Sequence, residues 1–174
     1  FCGSGTLLIE SAMMAANIAP GLRRYFAAER FSFLNSQIWR EERTRAQDLI
    51  RHNIDFKAQG FDIDPKCVEL TMQNAKKAGV EKYVKAAVAD IKDFTPPKER
   101  CLTITNPPYG ERLEEKATLP PLYADLGKAM RTLDTWSFYL ITSYDETERH
   151  IGKKADKNRK IYNGMLKTYF YQYL

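Results

Sequence analysis

Apolar positions along this chain change period several times, and each change marks a predicted element. Over 4–20, "SGTLLIESAMMAANIAP" sets Leu7, Leu8, Ile9, Met13 and Met14 at helical spacing behind a glycine-rich start, with Pro20 and Gly21 beyond the end. The apolar content is high all round, so this helix is expected to pack against a sheet. Residues 22–57 read differently: seven arginines (Arg23, Arg24, Arg30, Arg40, Arg43, Arg45 and Arg51) with Phe26, Phe31, Phe33 and Trp39 among them, and helical spacing over about 36–52. From residue 58 the pattern becomes regular. "AQGFDID" reads as a short buried strand, and "PKCVELTMQNAKKAG" as a helix with Pro65 in its first turn and Gly79 at its C-terminal cap. "VKAAVAD" and "CLTIT" are further strands, "LYADLGKAMRTL" an amphipathic helix, "WSFYLIT" a fourth strand, and Glu146–Gly152 a short polar helix. The end, "NRKIYNGMLKTYFYQYL", sets Asn163-Gly164 between two alternating aromatic runs, the signal of a hairpin.

Strands alternating with helices predict an α/β fold, a mostly parallel Rossmann-like sheet with helices on both faces and an antiparallel C-terminal hairpin. The 174 residues read as one domain, 1–174, without repeats or linkers.

Composition narrows the chemistry. Cys2, Cys67 and Cys101 are odd in number, distant and never in a CxxC pair, so neither a disulfide framework nor a zinc knuckle is indicated. A reducing cytoplasm is the expected compartment. Only His52 and His150 are available for a metal site or a Ser/His/Asp triad, so no metal is expected. No apolar run approaches a membrane span. The net charge of +5 permits a polyanionic partner without requiring one.

In open α/β sheets ligands bind beyond the carboxyl ends of the strands, so those ends carry the candidates. "FCGSGT" brings Gly3 and Gly5 to a helix N-terminus, where backbone can approach a ligand and negative charge is favoured. The third glycine of a dinucleotide fingerprint is replaced by Leu8, and no Gly-Lys-Ser/Thr phosphate loop exists. The next strand ends in Asp62-Ile63-Asp64. There one carboxylate, Asp62, can accept from both hydroxyls of a ribose while Ile63 packs on an adenine face. The spacing from Gly3 to Asp62 requires residues 17 to about 57 to be an insertion. The following strand ends at Asp90-Ile91, placed to read an adenine amino group. Together these ends describe a pocket for an adenosine with a charged tail.

The fourth candidate is "TITNPPYGERL". A residue before proline is held extended, so Asn106 continues its strand to the tip, and Pro107 and Pro108 fix the chain that follows. The Asn106 side-chain oxygen and the Pro107 carbonyl can converge as two acceptors on a planar nucleobase amine, with Tyr109 stacking on the base. A base inside a duplex cannot present its amine so, and the substrate must be single-stranded or flipped out.

The order FCGSGT, FDIDP, VADI, NPPYG resembles the S-adenosylmethionine-dependent methyltransferases that modify exocyclic amines. More narrowly, "FCGSGTLLIESAMMAANIAPGLRR" and "NPPYGERL" resemble the bacterial enzymes that make N2-methylguanine in large-subunit (23S) ribosomal RNA, whose catalytic domain follows an RNA-binding THUMP domain. The resemblance implies that Phe1, Cys2, Gly3, Ser4, Gly5 and Thr6 hold the methionine part of the cofactor. It also implies that Asp62, Ile63, Asp90 and Ile91 hold its adenosine, and that Asn106, Pro107, Pro108 and Tyr109 form the catalytic corner, Asn106 also bordering the cofactor. Arg112, Arg23, Arg24, Lys153 and Lys154 are candidate contacts to RNA phosphates or to the base. In the family an acidic residue and a proline precede the position of Phe1 at the end of a central strand. This segment is therefore expected to be the C-terminal part of a longer protein, lacking that first strand, with a THUMP domain upstream, and to fold poorly by itself. NPPY is shared with adenine-N6 enzymes, so adenine-N6 and transfer-RNA guanine-N2 methylation stay open, as does a non-catalytic RNA-binding module. Oligomeric state is not legible.

Overall fold

The structure is a computed structural model that describes residues 1–95, 101–110, 117–132 and 136–174. It divides into two compact units, one holding Gly3–Gly60 and Asp64–Ala87, the other Phe1–Cys2, Phe61–Ile63 and Val88–Leu174.

In chain order, helix α1 (Thr6–Ala15) is followed by a 3₁₀ turn at Ala27–Arg30, α2 (Ser36–Asp48), strand β1 (Ala58–Asp62), α3 (Pro65–Ala78) and strand β2 (Val84–Val88). The helical pattern over 4–20 overshoots, because Asn17 at φ 55 closes α1 in the left-handed conformation. There the Ile18 amide donates to Met13 O at 2.8 Å and the Asn17 amide to Met14 O at 3.1 Å, which stops the helix. Small residues let α1 lie close to α3: Ile9, Ala12 and Ala16 share a core with Ala75, Val80, Tyr83 and Val84. Asp64 caps α3 by accepting from the Lys66 amide at 2.9 Å, and Gly79 ends it at φ 74 as the sequence predicts. Ala58 N–H donates to Tyr83 O and Ala89 N–H to Asp62 O, so β1 and β2 pair in the same direction. The residues between α1 and β1 build α2 and the 3₁₀ turn.

Helix α2 has no buried residues and is held by polar and ring contacts instead. Arg43 donates to both oxygens of Glu29, at 2.6 and 3.1 Å, and to Arg24 O at 2.7 Å. Its guanidinium holds the Glu29 carboxyl below the usual range. Phe26 stacks on Trp39 with ring centres 5.8 Å apart.

The second unit carries β3 (Leu102–Thr105), α4 (Leu119–Arg131), β4 (Ser137–Thr142), α5 (Thr147–Ile151), β5 (Lys157–Asn163) and β6 (Leu166–Tyr173). The sheet order is β3-β4-β6-β5. β3 runs parallel to β4, while β6 is antiparallel to both β4 and β5. Alternate residues of β4 turn inward, so Phe138 and Leu140 join Leu119, Tyr123, Leu126 and Met130 of α4, Ile151 of α5, and Tyr171 and Tyr173 of β6. Each large apolar side chain buried this way contributes roughly 1.5–3 kcal/mol. α4 begins at Leu119, before the predicted Leu122, because Pro120 and Pro121 fall in its first turn, where the missing N–H groups have no helical partner anyway.

The hairpin loop differs from the prediction by one residue. Asn163 pairs with Leu166, so the loop is Gly164-Met165, with Gly164 at φ +61 in the first central position. A positive φ there, without one at Met165, suits a II′ turn and the twist of the strands. β5 forms the sheet edge with Lys157, Arg159 and Lys160 exposed along it, charges that discourage edge-to-edge pairing.

Gly127 is where α4 meets α5: a Cβ there would lie 2.2 Å from the Ile151 carbonyl oxygen. Gly127→Ala is expected to lower unfolding free energy by about 1–3 kcal/mol, read as a fall in the urea midpoint of the full-length protein.

Candidate active site

The corner after β3 is anchored on one side and open on the other. Thr105 and Pro107 are buried, Asn106 and Pro108 are exposed, Tyr109 is half-buried, and Gly110 turns the chain at φ 74. The Tyr109 hydroxyl donates to Asn106 Oδ1. That oxygen retains a second lone pair for another donor.

From the core side the corner is held by Tyr123 of α4, fully buried, whose hydroxyl lies 3.2 Å from the Pro108 carbonyl and 2.5 Å from Thr142 Oγ1. Thr142 Oγ1 accepts the Tyr144 amide at 3.0 Å. Burial pushes the Tyr123 phenol far above its ordinary range, so it remains protonated and able to donate. Neither Tyr123 nor Thr142 stood out in the sequence. Tyr123 sits on the apolar stripe of an amphipathic helix and reads as core; a hydroxyl on that stripe, which needs a buried partner, was the one available sign.

In the first unit the loop before α1 is likewise tied from behind. Thr71 Oγ1 donates to Gly3 O at 3.0 Å, and Asn74 Nδ2 donates to Ser4 O at 3.0 Å. Gly5, at φ +82, comes so near α3 that a Cβ would sit 2.7 Å from Thr71 Cγ2. No side chain caps α1 at Gly5. Thr71 and Asn74 also escaped the sequence reading, because hydroxyl and amide residues inside a helix usually face solvent.

The acidic strand ends differ from one another. Asp62 is 8% exposed, and the Cys2 amide donates to Phe61 O at 2.9 Å. Ile63 is 67% exposed, an apolar side chain open to a planar ligand. Asp90 spends one oxygen on the Lys92 amide at 3.1 Å, capping the short turn Ile91–Asp93, and Ile91 packs on the core of the second unit.

Of the proposed RNA contacts, Arg23 donates to Lys77 O at 3.0 Å and Arg24 lies 5.3 Å over the Phe26 ring. In this arginine-rich segment a shallow depression of about 500 Å³ is lined by Arg23, Tyr25, Trp39 and Arg43 among others. Lys153 lies 5.9 Å over Tyr173, and Lys154 is exposed. Arg112 lies outside the described residues. Among the described residues no group of three His, Cys, Asp or Glu side chains is placed to hold a metal, and no helix is long and apolar enough to cross a membrane.

The fold is the class I, Rossmann-like methyltransferase fold of solved structures that superpose on nearly the whole chain. The chain belongs to the UPF0020 family, described as an RMKL-like methyltransferase domain, which matches residues 1–172. It is 39% identical over 173 residues to YpsC of Bacillus subtilis (strain 168), provisionally named an RNA methyltransferase, covering 99% of this chain and 45% of that protein. It is 42% identical over 175 residues to the ribosomal RNA large subunit methyltransferase K/L of Shewanella baltica (strain OS185), covering 98% of this chain and 25% of that one. The crystal structure of SMU.472, a provisionally named methyltransferase complexed with SAH, superposes with a TM-score of 0.93 at 40% identity, over 99% of this chain and 46% of that one. The chain thus spans less than half the length of these relatives.

Thr71→Val keeps the shape of the side chain and removes its donor to Gly3 O. It is expected to cost about 1 kcal/mol of unfolding free energy, while Thr71→Ser costs less; denaturant titration of both variants reads the difference.

Proposed function

We propose that this domain transfers a methyl group from S-adenosylmethionine to the exocyclic N2 amine of a guanine in large-subunit ribosomal RNA. The observation that carries the reading is the corner itself: Asn106 exposed at the tip of β3, the Pro107 ring buried behind it, and the Tyr109 ring beside it. Membership of the methyltransferase family and the ribosomal RNA name of the K/L relatives support the choice of RNA.

In this reading Asn106 Oδ1 and the Pro107 carbonyl accept the two N–H bonds of the target amine, and Tyr109 stacks on the base. The cofactor brings an electrophilic methyl on a sulfonium, a leaving group good enough that no strong base is required. The residues' work is therefore orientation: two acceptors fix the amine in the direction of attack, and its surplus proton passes to water afterwards. For the cofactor, we assign the adenosine to Asp62, Ile63, Asp90 and Ile91. The methionine end falls to Phe1, Cys2 and the Gly3–Thr6 loop, whose positive helix end suits a carboxylate. Pro108 fixes the chain between the acceptors and the ring. Arg23, Arg24, Lys153, Lys154 and Arg112 would add salt-sensitive, sequence-blind affinity for phosphates. The protein's place would be the cytoplasm, where its RNA is.

Two variants test the reading in the full-length protein, with labelled S-adenosylmethionine and ribosomal RNA from cells lacking the gene. Asn106→Ala removes an acceptor and is expected to lower methyl transfer about 10²-fold or more while RNA binding persists. A near-normal rate would exclude the clamp, and with it the reading. Tyr109 separates its ring from its hydroxyl. Tyr109→Phe keeps the stacking surface and is expected to stay within a few-fold of the unaltered enzyme, whereas Tyr109→Ala loses about tenfold or more in kcat/KM.

A further inference from the structure

We propose that Tyr123 and Thr142 form a one-way hydrogen-bond relay that positions the Asn106–Tyr109 corner for methyl transfer. Donor bookkeeping carries the inference. A backbone amide can only donate and a carbonyl can only accept, so the two ends of the chain of contacts set its direction. The Tyr144 amide donates to Thr142 Oγ1 at 3.0 Å. The Pro108 carbonyl accepts from the Tyr123 hydroxyl at 3.2 Å. Tyr123 has one hydroxyl hydrogen, and Pro108 takes it; the 2.5 Å contact between Tyr123 and Thr142 must then be donated by Thr142. Each hydroxyl gives once and receives once, and no other assignment satisfies all three contacts.

The relay ties three elements of one unit to one point. Tyr123 comes from the middle of α4, Thr142 from the last residue of β4, and Pro108 from the corner after β3. Thr142 and Tyr123 are both fully buried, so water does not compete for these bonds. Tyr144 reinforces the arrangement, its ring centre 4.8 Å from that of Tyr123 and its hydroxyl 2.9 Å from His150 Nδ1. Turning the Pro108 carbonyl toward the core fixes the peptide plane joining Pro108 to Tyr109. It thereby sets the direction in which the Tyr109 ring leaves the corner. With Pro107 buried on the other side, the chain from Asn106 to Tyr109 has little freedom left. Tyr123 is a positioning residue: it reaches the reacting groups only through Pro108.

The inference rests on the reading of the corner as an amine clamp, and its test keeps the two apart. Full-length protein would be assayed with labelled S-adenosylmethionine and total RNA from cells lacking the gene, beside thermal unfolding and titration with S-adenosylhomocysteine. Tyr123→Phe, which keeps the ring and drops the hydroxyl, is expected to lower kcat about tenfold. S-adenosylhomocysteine affinity and KM for RNA stay within twofold. Thr142→Val, isosteric but without a donor, should give the same split, and Thr142→Ser should restore turnover toward that of the unaltered enzyme. A merely structural hydroxyl would lower the melting temperature of Tyr123→Phe and Thr142→Val without separating kcat from KM. If Asn106→Ala abolishes transfer while Tyr123→Phe turns over normally, the relay is wrong and the clamp stands. If Asn106→Ala is active, or the unaltered enzyme transfers nothing, both fall.

Discussion

The hydroxyl of Tyr123, buried between Thr142 and the Pro108 carbonyl, is the contact on which the candidate chemistry depends. A strand end is mechanically the freest part of a sheet, and two successive prolines remove the amides that could have tied this one down. What remains available is carbonyl oxygen, and a donor must come from elsewhere. α4 supplies it, along with the apolar face that packs on β4 and β6. The side chain that builds the core thus also orients the corner, and a core defect at this point would appear as a defect in chemistry.

The same solution recurs in the other unit. The glycine loop before α1 has carbonyls at Gly3 and Ser4, and α3 holds both with Thr71 and Asn74. The loop leads into the N-terminus of α1, the positive end of that helix. Both segments are held by their acceptors from a neighbouring helix, so neither must reorganise for its task. Gly5, with no room for a Cβ against Thr71, marks the close approach this requires.

Element types were legible in the sequence because their periods differ: alternation in β4, helical spacing in α3 and α4, and glycine at the end of α3. Boundaries were less so. The end of α1 depends on Asn17 taking a left-handed conformation, and the hairpin loop on which two residues the strand register leaves unpaired. Asn106, Pro107 and Tyr109 could be read as a clamp because proline dictates backbone direction locally. The contact between Tyr109 and Asn106 could not, nor could the supporting residues. Tyr123, Thr142, Thr71 and Asn74 act through partners 15 to 70 positions away, and no local pattern records such a partner. The arginines carry contacts that composition does not record: Arg43 holds Glu29 beside α2, and Arg23 reaches the end of α3.

The most direct measurement is nucleoside mass spectrometry of large-subunit ribosomal RNA from cells with and without the full gene. The account predicts that N2-methylguanosine falls in the cells lacking it and returns on complementation. Unchanged N2-methylguanosine, with a methyladenosine or a transfer-RNA mark lost instead, would contradict it.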